Sequence, residues 1–437
     1  MASALTASSR IRLIEYGAPS LLDARHLDLA ALDEVNQRWA KTLGLPSNPI
    51  RVETFDDGLV ALRAEGVTGV VRVGGTDIEI APKFLNAAHG SWQTVLWRIL
   101  TVVEGGHVDE NMTSAAQFDS LSMPDLLAEM FLASYSRGAA RGLPRQYASH
   151  SATGTVLRGP IDLSRLSEWV ARPWRVPYVA DRLTDDTQLA RLLRWAAARL
   201  AAVVLSPGRA RALREIVSSL SHVGLHPPHY LDAQRITLGT QYQGLEGARV
   251  VGLLLLEGAG VHHASGDYSL SGFLWNSDTI YENYVFWLCR QAATKLGGHV
   301  TKSEITFATV ESGRGAPLKT TPDVVFRDAN QHPIAVTDSK YKVLGARPKA
   351  PDTYQILTAG HVLGCERVSL TYPTSVPTEP TVWNVISQLG GRDIELTALP
   401  LNLMSILEDT GHRGLVNTIY DWLVEGARAA SGQPTTQ

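Results

Sequence analysis

Residues 335–343 read AVTDSKYKV, an apolar strand-like stretch interrupted by an aspartate at 338 and lysines at 340 and 342. Strand interiors disfavour Asp and Lys, and a buried charge is costly unless it is paired or holds a metal. Side chains alternate along a strand, so Ile334, Val336, Asp338 and Lys340 share one face and the carboxylate projects beside the ammonium. The preceding strand opens TPDVVF, with Asp323 at its very start. A neighbouring strand there brings Asp323 close to Asp338, and converging carboxylates repel unless a cation joins them. Magnesium suits such a pair because it is hard, takes oxygen ligands and bridges carboxylates to substrate phosphates; manganese is the alternative ion. Lys340 beside it would position or deprotonate a water, or stabilise charge on a phosphate in flight. That is the chemistry of phosphodiester hydrolysis. The competing reading of Asp323, Asp338 and Lys340 is an exposed salt bridge at a strand edge.

Two further residues extend the constellation. Glu282 lies on the helix line Glu282, Phe286, Cys289, Ala293, a mostly apolar stripe that would carry the carboxylate toward the sheet as a third metal ligand. The same glutamate closes a Thr279-x-x-Glu282 capping box, its structural alternative. Gln355 follows PDTY in the first turn of the next helix, where its amide would meet phosphate or the carboxylates, unless it is a solvated first-turn residue. Lys342, Arg347 and Lys349 cluster after Lys340 and suit a DNA backbone.

The elements that must position these residues follow from the pattern. Residues 1–85 read as β-rich: RIRLIEYG and GVVRVGGTDIEIAPKF carry β-branched runs, with Gly74-Gly75 as a turn, and LDLAALDEVNQRWAKTLG between them is helical. From about 90 to 220 the pattern is helical, with SMPDLLAEMFLASYSRGAARG and DDTQLARLLRWAAARLAAVVL as the two longest segments. Arg191, Arg194 and Arg199 along the second would touch phosphate or a partner, or form a solvated face. Then come a helix, SDTIYENYVFWLCRQAATKLGG, strands near 299–310, 322–327 and 334–340, a helix near 351–363, and the strand RVSLTYP. Helix, three strands, helix, strand makes an α/β core with a mixed sheet.

Bulk properties narrow the class. A chain of 437 residues with 19% charged residues is globular, and its net charge of −3 makes any nucleic-acid contact local or shared with a partner. Only Cys289 and Cys365 are present, which excludes a disulfide framework and a four-cysteine zinc site and suits a reducing cytoplasm. The start MASALTASSR lacks the regions of a signal peptide, and the longest aliphatic run, VVGLLLL, is far too short to span a bilayer, so the expectation is a cytoplasmic protein with no membrane contact. GRGAPLKT at 313–320 fails the phosphate-loop pattern because Leu318 precedes the lysine. His222, His226 and His229, separated by a Pro-Pro, and His262-His263 do not make a convergent zinc set.

TPD, fourteen residues, then DSK resembles the PD-(D/E)xK nuclease superfamily, and DSKYK followed by DTYQILTAGHVLGCERVSLTYP resembles the McrC family of modification-dependent restriction systems. GVVRVGGTDIEIAPKF, RGLPRQY, VLRGPIDL and IYENYVFWL are similar to other segments of that family. TDDTQLARLLRW departs from it in lacking an asparagine after the acidic pair, and the tail after about 400 is longer than the family's. The resemblance implies an α+β multidomain chain with four parts. These are a β-rich, partner-docking domain at 1–110, a mainly helical region at 111–265, a restriction-endonuclease-like core (αβββαβ, mixed sheet) at 266–400 and a helical tail at 401–437. It further implies a magnesium-dependent endonuclease subunit that works on modified double-stranded DNA with a AAA+ GTPase hexamer of the McrB kind. Asp323 and Asp338 would be metal ligands and Lys340 the catalytic lysine, with Glu282 and Gln355 in the flanking helices. Two alternatives stand beside it: a non-catalytic activator of a AAA+ motor, and a stand-alone DNA-processing nuclease.

Overall fold

A computed structural model describes residues 9–55, 58–84, 92–104, 121–140, 142–258, 272–309, 316–385, 393–408 and 410–430. The described residues divide into two compact units. One combines the chain up to Met123 with the chain from Gly272 on, and the other is Pro124–Glu257. This differs from the four-part division expected above, and the strand pairing below gives the reason.

The N-terminal elements are β1 (Ser9–Ile14), β2 (Ser20–Asp23), α1 (Leu29–Thr42), β3 (Ile50–Thr54), β4 (Leu59–Ala64), β5 (Val67–Val73) and β6 (Thr76–Ala81). Asp28 caps α1 by accepting the Ala31 N–H at 3.0 Å, and the helix buries Leu32, Asn36 and Trp39 on one stripe. Buried Asn36 donates to the Ile50 carbonyl at 2.7 Å and accepts the Ile50 N–H at 3.0 Å, so both ends of its amide are satisfied by β3. Gly74, at φ +58°, turns β5 into β6.

The sheet that contains β5 and β6 is completed from far along the chain. Its order is β1-β6-β5-β9, where β9 is Gly272–Asn276. Two glycines permit that join. Gly69 has φ +132° and a Cβ there would lie 2.3 Å from the Phe273 carbonyl oxygen; Gly272 has φ +144° and a Cβ would lie 2.4 Å from that of Val70. Helix α2 (Trp92–Val103) is buried along nearly its whole length, and Arg98 donates to the Ile406 carbonyl at 2.6 Å. The first and last thirds of the chain thus share one unit.

The second unit holds α3 (Met123–Ala139) from Pro124 on, β7 (Gln146–Gly154), α4 (Leu166–Ala171), β8 (Val176–Thr184), α5 (Gln188–Val203), α6 (Pro207–Ser219), α7 (Tyr230–Gln234) and α8 (Glu246–Gly258) up to Glu257. The expected helices are present, but so is an antiparallel ribbon of β7 and β8 that sequence reading missed. Its strand QYASHSATG has no fully buried position, so it carries no apolar alternation to read. The arginines of α5 are used inside this unit: Arg191 pairs with Asp186 through two bonds of 2.7 Å, Arg194 donates to the Val223 carbonyl, and burial holds Arg199 below its ordinary pKa.

After β9 the first unit continues with α9 (Ser277–Lys295), β10 (His299–Thr301), β11 (Ile305–Ala308), β12 (Leu318–Thr320), β13 (Val324–Arg327), β14 (Pro333–Ser339), α10 (Ala350–Leu363), β15 (Arg367–Thr374), β16 (Thr381–Val385), β17 (Ile394–Asn402) and α11 (Gly411–Ala430). Six of these strands form one mixed sheet, ordered β10-β13-β14-β15-β17-β16, with β14, β15 and β17 parallel. One face, through Val325, Val336, Val368 and Leu396, packs on Ile356 and Ala359 of α10. The other face meets α11, whose Trp422 stacks edge-on against Phe326 and donates to Thr397 Oγ1 at 3.1 Å. The expected αβββαβ run is therefore embedded in a wider sheet. The expected helical tail from 401 begins as the end of β17 and closes the sheet with a buried face of Leu415, Val416, Ile419 and Trp422. Among the described residues no helix is long and apolar enough to cross a membrane.

Candidate active site

Register brings the two aspartates together. Val324 of β13 lies opposite Thr337 of β14, which sets Asp323 beside Asp338 at the C-terminal end of β14. Ligand sites of open α/β sheets favour such strand ends. The Asp323 N–H donates to Asp338 Oδ1 at 3.3 Å, and the Ser339 N–H donates to Asp323 Oδ2 at 2.7 Å, with the Ser339 hydroxyl donating to the same oxygen. Lys340 Nζ forms an ion pair with Asp338 Oδ2, while no well-aligned hydrogen bond reaches that buried oxygen. The Lys340 N–H donates to the Thr371 carbonyl at 2.9 Å, carrying the β14–β15 pairing one residue further. Thus the lysine backbone is fixed even though β14 ends at Ser339.

The Asp338 side chain is 3% exposed. Burial first, and then the charge of Asp323, push its carboxyl up to about 6, while Lys340 acts in the opposite direction. A carboxylate held against its preference for water and beside a second one is a site that favours a cation.

The remaining expected residues divide. Glu282 sits on α9 at the edge of the buried stripe, but its partner is Lys302, whose Nζ ion-pairs with it and lies 3.9 Å from Asp323 Oδ1. Lys302, in the turn after β10, gave no periodic signal in the sequence. Burial pulls its ammonium down, and Glu282, Asp323 and Asp338 outweigh that pull and raise it overall. The Thr279-Glu282 capping box does not form: the cap lies three residues earlier, where Asn276 accepts the Thr279 N–H at 3.1 Å. Gln355 is half-buried in the second turn of α10, not the first, because the helix starts at Ala350 with Pro351 in its opening turn. Among the described residues Gln355 makes no hydrogen bond to the carboxylates. Lys342 is bound to Asp352 in an ion pair, whereas Arg347 and Lys349 are exposed ahead of α10.

Asp278, Glu282, Ser339, Lys340, Tyr341, Lys342 and Asp352 line a cleft of about 280 Å³. Among the described residues no three His, Cys, Asp or Glu side chains converge as a ready metal site. The set that fits a divalent cation is the Asp323–Asp338 pair, with Glu282 turned to Lys302. Both cysteines are free and buried, and burial raises their thiols, Cys365 to about 11, which removes them as nucleophiles at neutral pH. His262 and His263, and residues 313–315 of the GRGAPLKT stretch, lie outside the described residues.

The family model described as McrBC 5-methylcytosine restriction system component matches residues 62–373. A chain in the refined half-complex from a tetradecameric assembly of Thermococcus gammatolerans McrB AAA+ hexamers with bound McrC is similar in fold, with a TM-score of 0.62 and 14% identity. The match covers 95% of this chain and 100% of that one. A chain of the cryo-EM structure of the Thermococcus gammatolerans McrBC complex is similar at a TM-score of 0.43 and 15% identity, over 65% of this chain and 88% of that one. No curated protein matches the chain.

Proposed function

The chain belongs to the McrBC 5-methylcytosine restriction system component family, and from that premise we propose that it is the DNA-cutting subunit, a metal-dependent endonuclease of the PD-(D/E)xK type. The observation that carries this reading is the buried Asp338 carboxylate, set beside Asp323 and ion-paired two residues on with Lys340. In this reading Asp323 and Asp338 would hold a magnesium ion, whose charge, when bound, would supply Lewis-acid polarisation of a phosphate and a lowered pKa of water. Ser339 keeps Asp323 turned toward the pair. Lys340 supplies a fixed positive charge where the pentacovalent phosphate gathers negative charge. Arg347 and Lys349, exposed ahead of α10, meet the DNA backbone, and Lys342 holds Asp352 instead.

The partner is a AAA+ GTPase hexamer of the McrB kind, and the DNA is double-stranded and modified. Support comes from the family, and from the Thermococcus assembly, which is described as McrB AAA+ hexamers with bound McrC. The test is cleavage of a 5-methylcytosine-containing plasmid in magnesium by this chain, with and without its AAA+ partner, beside Lys340→Ala. Partner-dependent cutting that falls by about 100-fold or more in the variant is the expected result. Equal cutting by the variant would sink the assignment.

A second reading, an activator of the motor that does not itself cut, draws on one observation: Glu282 is ion-paired with Lys302, and among the described residues no third carboxylate joins Asp323 and Asp338 in a ready metal site. The Asp323→Ala, Asp338→Ala, Lys340→Ala triple variant separates the two readings. Under the nuclease reading it stimulates partner NTP turnover like the wild type yet cuts nothing.

A further inference from the structure

We propose that Glu15, Lys83 and Tyr341 form a clamp through which the N-terminal sheet positions Lys340, an inference that rests on the nuclease reading above. The clamp starts from topology. Strands β1 and β6 are parallel neighbours, with Ile14 opposite Ala81, so the residues just beyond both strands emerge at the same end of the sheet. Glu15 continues the pairing by donating its N–H to the Ala81 carbonyl at 2.9 Å, and Lys83 follows two residues later on the other strand.

These two residues grip the neighbour of the proposed catalytic lysine. The Tyr341 hydroxyl donates to Glu15 Oε2 at 2.8 Å, and the Lys83 N–H reaches the same oxygen at 3.4 Å. Lys83 Nζ stands 4.2 Å from the centre of the Tyr341 ring, 4.5 Å from that of Tyr16 and 5.2 Å from that of Phe84. Phe84 meets the Tyr341 ring edge-on at 5.1 Å, and Tyr281 packs against it at 5.7 Å. Tyr341 is therefore held on its hydroxyl, its face and its edge, and the next residue back along the chain is Lys340.

Stability alone does not account for this choice of side chains. Glu15 is fully buried, and among the described residues its Oε1 has no hydrogen-bond partner. Apolar side chains of similar volume fill such a junction at less desolvation cost, whereas buried polar groups in some proteins select one register, the role assigned to them here. Here the register selected is that of the residue following D-S-K. Lys340 and Tyr341 share one planar peptide, which holds their Cα atoms about 3.8 Å apart, and the Lys340 N–H is tied to the Thr371 carbonyl at 2.9 Å, so the anchored ring and β15 together set the stretch of backbone from which the lysine side chain departs. Loosening the ring frees one side of that stretch, and misplacement of the ammonium by about 1 Å can cost on the order of 100-fold in rate.

The experiment uses the full chain with its AAA+ partner and compares Tyr341→Phe, Lys83→Met and Lys83→Arg with wild type and with Lys340→Ala. Expected are single-turnover cutting rates about 10-fold lower for Tyr341→Phe and Lys83→Met, at unchanged half-saturating DNA and unchanged stimulation of partner NTP turnover. Lys83→Arg, which keeps the charge over the rings, should return the rate to within about threefold. Wild-type cutting by both disruptive variants overturns the clamp. So does a fall in cutting that is matched by loss of partner stimulation and of melting temperature, because the residues then only hold the fold. A second readout separates this inference from its premise: labelling of the Lys340 amine by an acylating reagent, followed by mass spectrometry. Should Lys340→Ala cut like wild type, the nuclease reading fails, and the labelling still decides the clamp. Lys340 labelled several-fold faster in Tyr341→Phe than in wild type supports it, and an equal rate overturns it.

Discussion

Ser339 binds Asp323 with its amide and its hydroxyl, so the middle residue of D-S-K orients a carboxylate that lies on another strand. Replacing it by alanine keeps the amide bond and removes the hydroxyl bond to a charged group, worth about 1.5–3 kcal/mol. Under the nuclease reading Ser339→Ala is expected to lower the cutting rate by about 10-fold, with a fall in melting temperature of only a few degrees, and a rate at the wild-type level would show that the amide suffices. Glu15 gives a pH prediction at the same scale. Burial lifts its carboxyl from 4.5 to about 7, against the opposing pull of Lys83, Tyr341 and Ser277, while Lys83 itself is held down by burial. A folded-state pKa above the unfolded one means that the protonated group's contribution is complete below about pH 4.5 and is lost as pH rises through about 7. Glu15→Gln should therefore gain stability relative to wild type between pH 5 and pH 8, by on the order of 1–3 kcal/mol. Thermal melts at those two pH values check this, and a pH-independent difference would contradict it.

At the scale of elements, the strand join of β5 with β9 and the start of α9 carry the site. Gly69 accepts a left-handed backbone and a carbonyl where a Cβ would sit, so Gly69→Ala adds strain and overpacking of about 3 kcal/mol together. Asn276 ends β9 and caps α9, the helix of Glu282 and Tyr281, and Asn276→Ala should cost about 1 kcal/mol. Denaturant titrations measure both, and the glycine variant should show the larger fall in midpoint. Sequence reading located α9, α10, β13 and β14 although neither helix carries a strong apolar stripe, while the strand expected near 299–310 is two short strands of different sheets, β10 and β11. The helix starts at Ser277 as expected, and the Thr279-x-x-Glu282 capping box, the alternative role of Glu282, is displaced by Asn276, which the end of β9 delivers as the cap.

At the scale of the whole molecule, the N-terminal sheet and the six-stranded sheet that carries Asp338 belong to one compact unit. A fragment from Gly272 to the C-terminus would lose the ladder of β9 with β5 and the grip of Glu15 and Lys83 on Tyr341. It is expected to show no cooperative thermal transition by circular dichroism; a sharp transition near that of the full chain would mean the core stands alone. The sequence by itself determined local facts: the helices and strands around the site, though not the β7–β8 ribbon, and that Asp323, Asp338 and Lys340 are charges set where strands place apolar residues. Those follow from side-chain alternation and helical period, which act within a few residues. Tertiary structure alone decided that Glu282 turns to Lys302, that Lys342 is spent on Asp352, and that Glu15 meets Tyr341 across 326 positions of chain. Such pairings depend on strand order and on the burial that makes one partner cheaper than another, and neither has a local period to read.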